Sequence, residues 1–255
     1  MRLDLYLVKS KKAISRTQAQ DLIENKFVFL KRFESVILLT KPSFEVSERN
    51  EKFIVVESNP LQKYVSRAGL KLEGAIQKTQ INLAGQIVLD VGQSTGGFTE
   101  CLLKHNVLKV IGIDVGHSQL HVSLMGDPRI VSIEGLNVKD LSHSKNFNAE
   151  IPSGGFQFVV MDISFISITK VIDSLKPFLA KDAEFLFLVK PQFEAGANAL
   201  DKNGVVKDEK VYASIQNQIT EKIQQVFGEV KGYFKSDLPG KDGNQEFFIY
   251  GKNKF

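Results

Sequence analysis

The chain has no tryptophan, one cysteine and four histidines among its 255 residues. A lone thiol, Cys101, cannot form an intramolecular disulfide, and such usage suits a reducing, cytoplasmic setting. Cys101 is read as a small core residue of a helix. His105, His117, His121 and His143 stand apart, with no cysteine or carboxylate cluster around them, so no metal site is expected. No apolar run approaches the roughly 18 residues that a membrane-spanning helix needs, so membrane insertion is not expected. The opening Met1-Arg2-Leu3-Asp4 is charged at once and lacks the apolar stretch of a secretory signal. Internal repeats and low-complexity tracts are also missing.

What is present begins with a 43% hydrophobic complement, enough for a sizeable core. The net charge of +4 is unevenly spread. Residues 1–58 hold 11 Lys/Arg against 8 Asp/Glu, whereas the remainder holds 22 against 21. The excess in the first quarter favours a polyanionic partner.

The most informative stretch is Ile87-Val88-Leu89-Asp90-Val91-Gly92-Gln93-Ser94-Thr95-Gly96-Gly97-Phe98-Thr99. An apolar strand ends in an acid and opens into a glycine-rich turn ahead of a helix. Such a turn lets backbone approach a ligand, with the free N–H groups of the helix start beside it. The spacing lacks the lysine of a phosphate-binding loop and does not match the G-x-G-x-x-G dinucleotide pattern. A nucleoside or amino-acid cofactor without a polyphosphate remains, with S-adenosylmethionine the leading candidate.

The first 58 residues read as a small α+β unit. Leu3, Leu7 and Val8 form a short helical stripe, and Ser15-Arg16-Thr17-Gln18 is a capping box opening a second helix with Ala19, Leu22 and Ile23 on its apolar face. Strand-like pieces follow at 27–30, 36–39 and 53–56. Residues 59–63 read as a linker. From 64 to 255, strands at 87–91, 110–115, 129–133, 156–163 and 184–189 alternate with helices near 66–78, 98–105, 118–125, 167–179 and 208–227. This is a mostly parallel α/β sheet covered on both faces. The tail from 230 to 251 reads as two antiparallel strands, the ending of a class I, Rossmann-like methyltransferase sheet of seven strands.

Ligands of open α/β sheets sit at the carboxyl ends of the strands, near the topological switch point. Asp90, Asp114 and Asp162 end three strands, and Lys190 ends a fourth. Asp114 is placed to accept from ribose hydroxyls. Glu134 and Asn137 follow the third strand, within reach of an adenine edge.

The first unit resembles the RNA-binding domain named after ribosomal protein S-four, through Arg2-Leu3-Asp4, Ser15-Arg16-Thr17-x-Ala19 and Leu22-Ile23. It departs at Asn25, where glycine is usual, and at Lys31-Arg32, where Asn-Gly is usual. The whole chain resembles the TlyA, or hemolysin A, family. The matching residues are Lys63-Tyr64-Val65-Ser66-Arg67-Ala68-Gly69-Leu70-Lys71-Leu72, the Asp90–Thr99 turn, Asp114-Val115-Gly116-x-x-Gln119-Leu120, Asp127-Pro128-Arg129, Asn137-Val138-Lys139-Asp140, Asp162-Ile163-Ser164-Phe165-Ile166-Ser167 and Lys190-Pro191-Gln192-Phe193-Glu194. Departures fall at Gln93, where alanine is usual, and at Gly135-Leu136, where Arg-Thr often stands; both are expected to border the cofactor pocket.

The resemblance implies an FtsJ-type enzyme that methylates ribose 2′-hydroxyls of ribosomal RNA, at a cytidine of 23S and in some members of 16S, with rRNA or ribosomal subunits as partners. It places a catalytic tetrad at Lys71, Asp162, Lys190 and Glu246. The cofactor would be held by Asp90, Gly92, Ser94, Thr95, Gly96, Gly97, Phe98, Asp114, Val115, Asn137, Val138 and Asp162. Arg2, Lys9, Lys11, Lys12, Arg16, Lys26, Lys31, Arg32 and Arg67 would contact RNA phosphates. A ribose hydroxyl is a weak acid, so catalysis needs in-line positioning and removal of a proton. Lys190 is the candidate base, oriented by Asp162; Lys71 is the second cation, and Glu246 would hold Lys71 or the ribose. A non-catalytic ribosome-binding factor and a haemolysin acting on membranes are the competing readings.

Overall fold

The computed structural model describes residues 1–33, 35–57 and 63–255. The linker expected over 59–63 lies, apart from Lys63, outside the described residues. The chain divides into two compact units, Met1–Arg67 and Ala68–Phe255.

In the first unit, helices α1 (Leu3–Lys9) and α2 (Arg16–Glu24) accompany strands β1 (Val28–Arg32), β2 (Ser35–Leu38) and β3 (Ile54–Val56). The antiparallel sheet has the order β2-β1-β3. Leu3, Leu7, Ala19, Leu22, Ile23, Val28 and Ile54 form its core. The cap forms with a shifted return bond: Ser15 Oγ accepts from the Gln18 amide at 3.1 Å, and Gln18 Oε1 accepts from the amide of Ile14, one residue before the cap, at 2.7 Å. Arg32 pairs with Ser35 and Lys31 with Val36, so both basic residues belong to the strand rather than to the turn.

The second unit begins in helix α3 (Arg67–Thr79) and continues through β4 (Ile87–Val91), α4 (Gly97–Lys104), β5 (Lys109–Asp114), β6 (Ile130–Glu134), α5 (Lys145–Asn148), β7 (Phe156–Met161), α6 (Ile172–Leu175), β8 (Leu179–Val189), α7 (Pro191–Glu194), α8 (Glu209–Phe227), β9 (Gly228–Lys235) and β10 (Phe247–Asn253). These seven strands are ordered β6-β5-β4-β7-β8-β10-β9. The five from β4 to β8 run parallel, while β10 is antiparallel to both β8 and β9. The α/β class, the mostly parallel sheet and its antiparallel ending are those expected from the sequence. Strands buried on both faces lose polar alternation and read as apolar runs. Leu89, Val91, Ile111, Val159 and Phe187 pack towards Ile215, Ile219 and Ile223 of α8. The intervening Val88, Asp90, Val110 and Phe158 point the other way and are equally buried. Chain order reverses between β4 and β7, which is where a ligand crevice opens in such sheets.

Two expected helices differ. Residues 118–125 form turns instead, because the Glu134 carboxylate accepts from the Ser118 and Gln119 amides at 2.8 and 3.3 Å, and Ser118 lies at φ +53°. The segment 167–179 breaks into a 3-10 turn, the four-residue α6 and a second 3-10 turn containing Pro177. Pro177 has no N–H to continue a ladder, while the Ile168 amide that opens the first turn is capped by Glu194 at 2.9 Å. Cys101 is fully buried in α4.

Candidate active site

At the carboxyl edge of the sheet lies a cavity of about 310 Å³. Gly92, Ser94, Asp114, Val115, Asn137, Val138 and Asp162 line it, seven of the cofactor residues expected from sequence. Ile113, Leu136, Ile163, Ile166 and Val171 supply apolar walls. Apolar walls with a few convergent polar groups are what a nucleoside-sized ligand needs. Gly92 is indispensable to that shape. It holds φ +85°, and a Cβ there would stand 2.4 Å from the Asp162 carbonyl oxygen. Asp114 is fixed by backbone, accepting from the Ser94 and Gly116 amides at 2.7 Å each. Each oxygen keeps a second lone pair for a ligand hydroxyl.

Other expected cofactor residues do not reach the cavity. Phe98 is 2% exposed and stacks on Phe248 at 6.3 Å, because the first turn of α4 aims it into the core. Gly96 and Gly97 are buried in the cap and first turn of α4, and Thr95 is exposed beside it. Glu134 is occupied by the 118–119 amides and does not line the cavity. Gln93 turns away from the pocket into the protein, whereas Leu136 does border it.

Asp90 is fully buried, with Oδ2 accepting from Thr99 Oγ1 at 2.6 Å and Oδ1 unpartnered. Burial, reinforced by the nearby Asp162 and Asp114 charges, pushes its carboxyl up to about 7 against the Thr99 hydrogen bond. A carboxyl raised on folding adds stability while protonated and loses it as pH climbs from about 4 to about 7. Asp90→Asn is therefore expected to raise the melting temperature by several degrees above pH 7 and to leave it nearly unchanged at pH 4. Thermal melts across that range check this.

The four tetrad positions form two ion pairs. Lys190 Nζ lies 2.6 Å from Asp162 Oδ1 and donates to Ser164 Oγ at 2.9 Å. Lys71 Nζ donates to Glu246 Oε2 at 2.5 Å, with side-chain exposures of 10% and 3%. The sheet brings the pairs together. Asp162 and Lys190 directly follow neighbouring strands β7 and β8. Glu246 directly precedes β10, whose Phe247 pairs with Val189. Glu246 thus arrives beside Lys190, and Lys71 joins it from α3.

Sequence reasoning passed over Ser164, Gln119 and Phe165 as site residues. Gln119 Oε1 accepts from Ser94 Oγ at 3.0 Å at the cavity wall. Phe165 lines the same cavity, yet is 90% exposed and held at φ +67°, 5.2 Å from the Phe193 ring. A bulky residue in that backbone region is an outlier that points to function. Its signal lay in the Asp162–Ser167 motif, as a phenylalanine in a loop after a strand.

In the first unit, Asp4 is fully buried and accepts from Arg2 at 3.1 Å and from Arg16 at 2.9 Å. Those cations hold its carboxyl well below the usual range, against the cost of burial. Both guanidinium side chains remain about half exposed. Lys9, Lys11, Lys26 and Arg32 are exposed, Lys12 is half-buried, and exposed Lys31 pairs with Glu57 at 2.9 Å. Arg67 is the half-buried first residue of α3.

A seven-stranded class I sheet with a cavity at its switch point and a lysine–carboxylate quartet beside it defines an S-adenosylmethionine-dependent methyltransferase. Residues 64–253 match the FtsJ-like methyltransferase model, and residues 1–30 match the S4 domain. The chain belongs to the FtsJ-like methyltransferase family. It is 39% identical over 251 residues to "Hemolysin A" of Brachyspira hyodysenteriae, covering 98% of this chain and 99% of that protein. It is 37% identical over 249 residues to "16S/23S rRNA (cytidine-2'-O)-methyltransferase TlyA" of Mycobacterium tuberculosis, covering 98% and 88%. A solved structure from Streptococcus thermophilus, described as a hemolysin, is similar at a TM-score of 0.74 and 29% identity, covering 99% of this chain and 88% of that one. Fold, enzyme class and cofactor are those expected from the sequence. Among the described residues, no helix is long and apolar enough to cross a membrane.

Proposed function

We propose that this chain transfers a methyl group from S-adenosylmethionine to the ribose 2′-hydroxyl of a cytidine in 23S ribosomal RNA, in the cytoplasm. The observation that carries the reading is the convergence of Lys71–Glu246 and Lys190–Asp162 beside a cavity that Asp162 itself lines. Relatives covering nearly the whole chain bear names of that activity.

The cavity fits the cofactor by its own chemistry. Apolar walls suit an adenine, Asp114 suits a ribose, and the lining carboxylates Asp114 and Asp162 suit a molecule carrying an ammonium and a sulfonium. When bound, the cofactor supplies an electrophilic methyl group. The protein's part is to present the hydroxyl in line and relieve it of its proton. Lys190 is the base, oriented by Asp162 Oδ1 at 2.6 Å and by Ser164 Oγ at 2.9 Å, and its amine takes up the ribose proton at Nζ. Lys71, kept charged and directed by Glu246, stabilises the developing negative charge on the ribose oxygen.

The basic residues of the first unit supply salt-dependent affinity for folded RNA. Phe165, exposed at the cavity mouth, offers an aromatic face to a base turned out of its stack. Phe165→Ala is expected to raise KM for RNA about tenfold, with cofactor affinity unchanged; steady-state kinetics and calorimetry check both halves. The function itself is tested by incubating unmodified ribosomal RNA and subunits with enzyme and isotope-labelled cofactor. Mass spectrometry is expected to find the label as ribose methylation of one 23S cytidine. Label on a base, or none on either rRNA, overturns the assignment.

A further inference from the structure

One buried polar chain beside the cavity runs through a residue that the lining does not include. Gln93 is 3% exposed and lies flat against Gly112 of β5, where a Cβ would sit 2.1 Å from its amide. Its Oε1 accepts from Ser132 Oγ of β6 at 2.6 Å. Its Nε2 donates to Thr99 Oγ1 of α4 at 2.9 Å. The Thr99 hydroxyl in turn donates to Asp90 Oδ2 at 2.6 Å. The chain therefore links β6, the glycine turn, α4 and β4.

Its direction has a chemical cause. A carboxamide offers acceptor lone pairs at one atom and only donors at the other. With Nε2 facing Thr99, the hydroxyl oxygen receives a proton from the amide, and its single proton is directed at Asp90. Without that donor the hydroxyl is free to turn. Asp90 needs the help: Asp162, following β7, and Asp114, at the end of β5, face it with like charge, and α4 contributes only the uncharged Thr99. The second Asp90 oxygen is buried and unpartnered.

We propose that Gln93 is a positioning residue: it commits the Thr99 hydroxyl proton to Asp90 and so keeps that carboxylate, which stands behind the cavity wall at Val91 and Gly92, ionised and attractive to a cationic cofactor bound beside Asp114 and Asp162. The inference rests on the methyl-donor reading above. Binding of an ammonium- and sulfonium-bearing ligand then favours release of a proton from Asp90, and affinity rises with pH as Asp90 ionises. Alanine, with neither donor nor acceptor, leaves the direction of the Thr99 hydroxyl unset.

The test is a pair of titrations on the full chain. In the cofactor-free protein, carbon-13 NMR follows the Asp90 carboxyl from pH 5 to about 9. Calorimetry then measures S-adenosylmethionine affinity over the same range. Gln93→Ala is expected to move both midpoints upward by about half a pH unit or more, the worth of one weakened hydrogen bond. Thr99→Val is expected to move them further, and the double variant to match Thr99→Val alone. Asp90→Asn is expected to flatten the affinity profile. An unmoved Asp90 midpoint in Gln93→Ala overturns the inference, as does a uniform loss of affinity with the pH profile unchanged, which marks a packing role only. An Asp90 midpoint that moves in a protein with no affinity for the cofactor at any pH overturns the methyl-donor reading, and with it the purpose assigned to the relay.

Discussion

Lys190→Ala is expected to lower the rate of methyl transfer by about a thousandfold or more while cofactor affinity stays within a few-fold of the parent. The separation follows from position: Lys190 touches Asp162 and Ser164 and does not line the cofactor cavity. Lys190→Arg refines the result. Arginine keeps the charge and the pairing with Asp162 but does not surrender its proton in a protein. If Lys190 acts as base, both variants are inactive. If its charge alone matters, Lys190→Arg retains much of the rate and the proton-accepting role is withdrawn. Single-turnover assays with saturating cofactor distinguish the cases.

The second large effect concerns Lys71 and Glu246. Glu246 is 3% exposed, so Lys71→Met leaves a buried carboxylate without its partner. That change is expected to cost about 3–5 kcal/mol of stability and to abolish turnover. The double variant Lys71→Met, Glu246→Leu removes both charges and is expected to regain most of the stability, since an apolar pair of similar volume replaces a buried ion pair at little cost. Turnover is not regained. Denaturant unfolding and methylation assays on the same three proteins check the two halves. A double variant that methylates RNA at the parent rate removes the pair from the chemistry.

Much of the second unit was legible because its strands are buried on both faces. Ile87–Val91 and Phe156–Met161 are apolar runs broken only by Asp90 and Gln157 and bounded by turn residues, and strand ends mark where polar groups meet solvent. Asp114, Asp162 and Lys190 could be marked as strand-end polar groups for that reason alone, whereas Asp90 is turned into the protein. What stayed hidden depends on contacts distant in sequence. Residues 118–125 carry a helix-compatible pattern, but Glu134 claims their first amides from the next strand. Phe98 sits one residue inside α4, where rotation about the helix decides between pocket and core; that angle depends on Phe248, 150 residues away. The Gln93 side chain was assigned to the pocket because its neighbours Gly92 and Ser94 line it, yet the turn sends alternate residues to opposite sides. Which lysine meets which carboxylate likewise follows from the antiparallel placement of β10 against β8.

That placement of β10 bears on when in its own synthesis the enzyme becomes competent. The residues that line the cofactor cavity all lie between 91 and 171, while Phe185, Phe187, Ile215 and Ile219 from later in the chain back the strands that carry them. The Lys71–Glu246 pair spans 175 positions and waits for the final strand to dock antiparallel between β8 and β9. A polypeptide that stops before Glu246 cannot form that pair, so the full catalytic arrangement is reserved for the finished molecule.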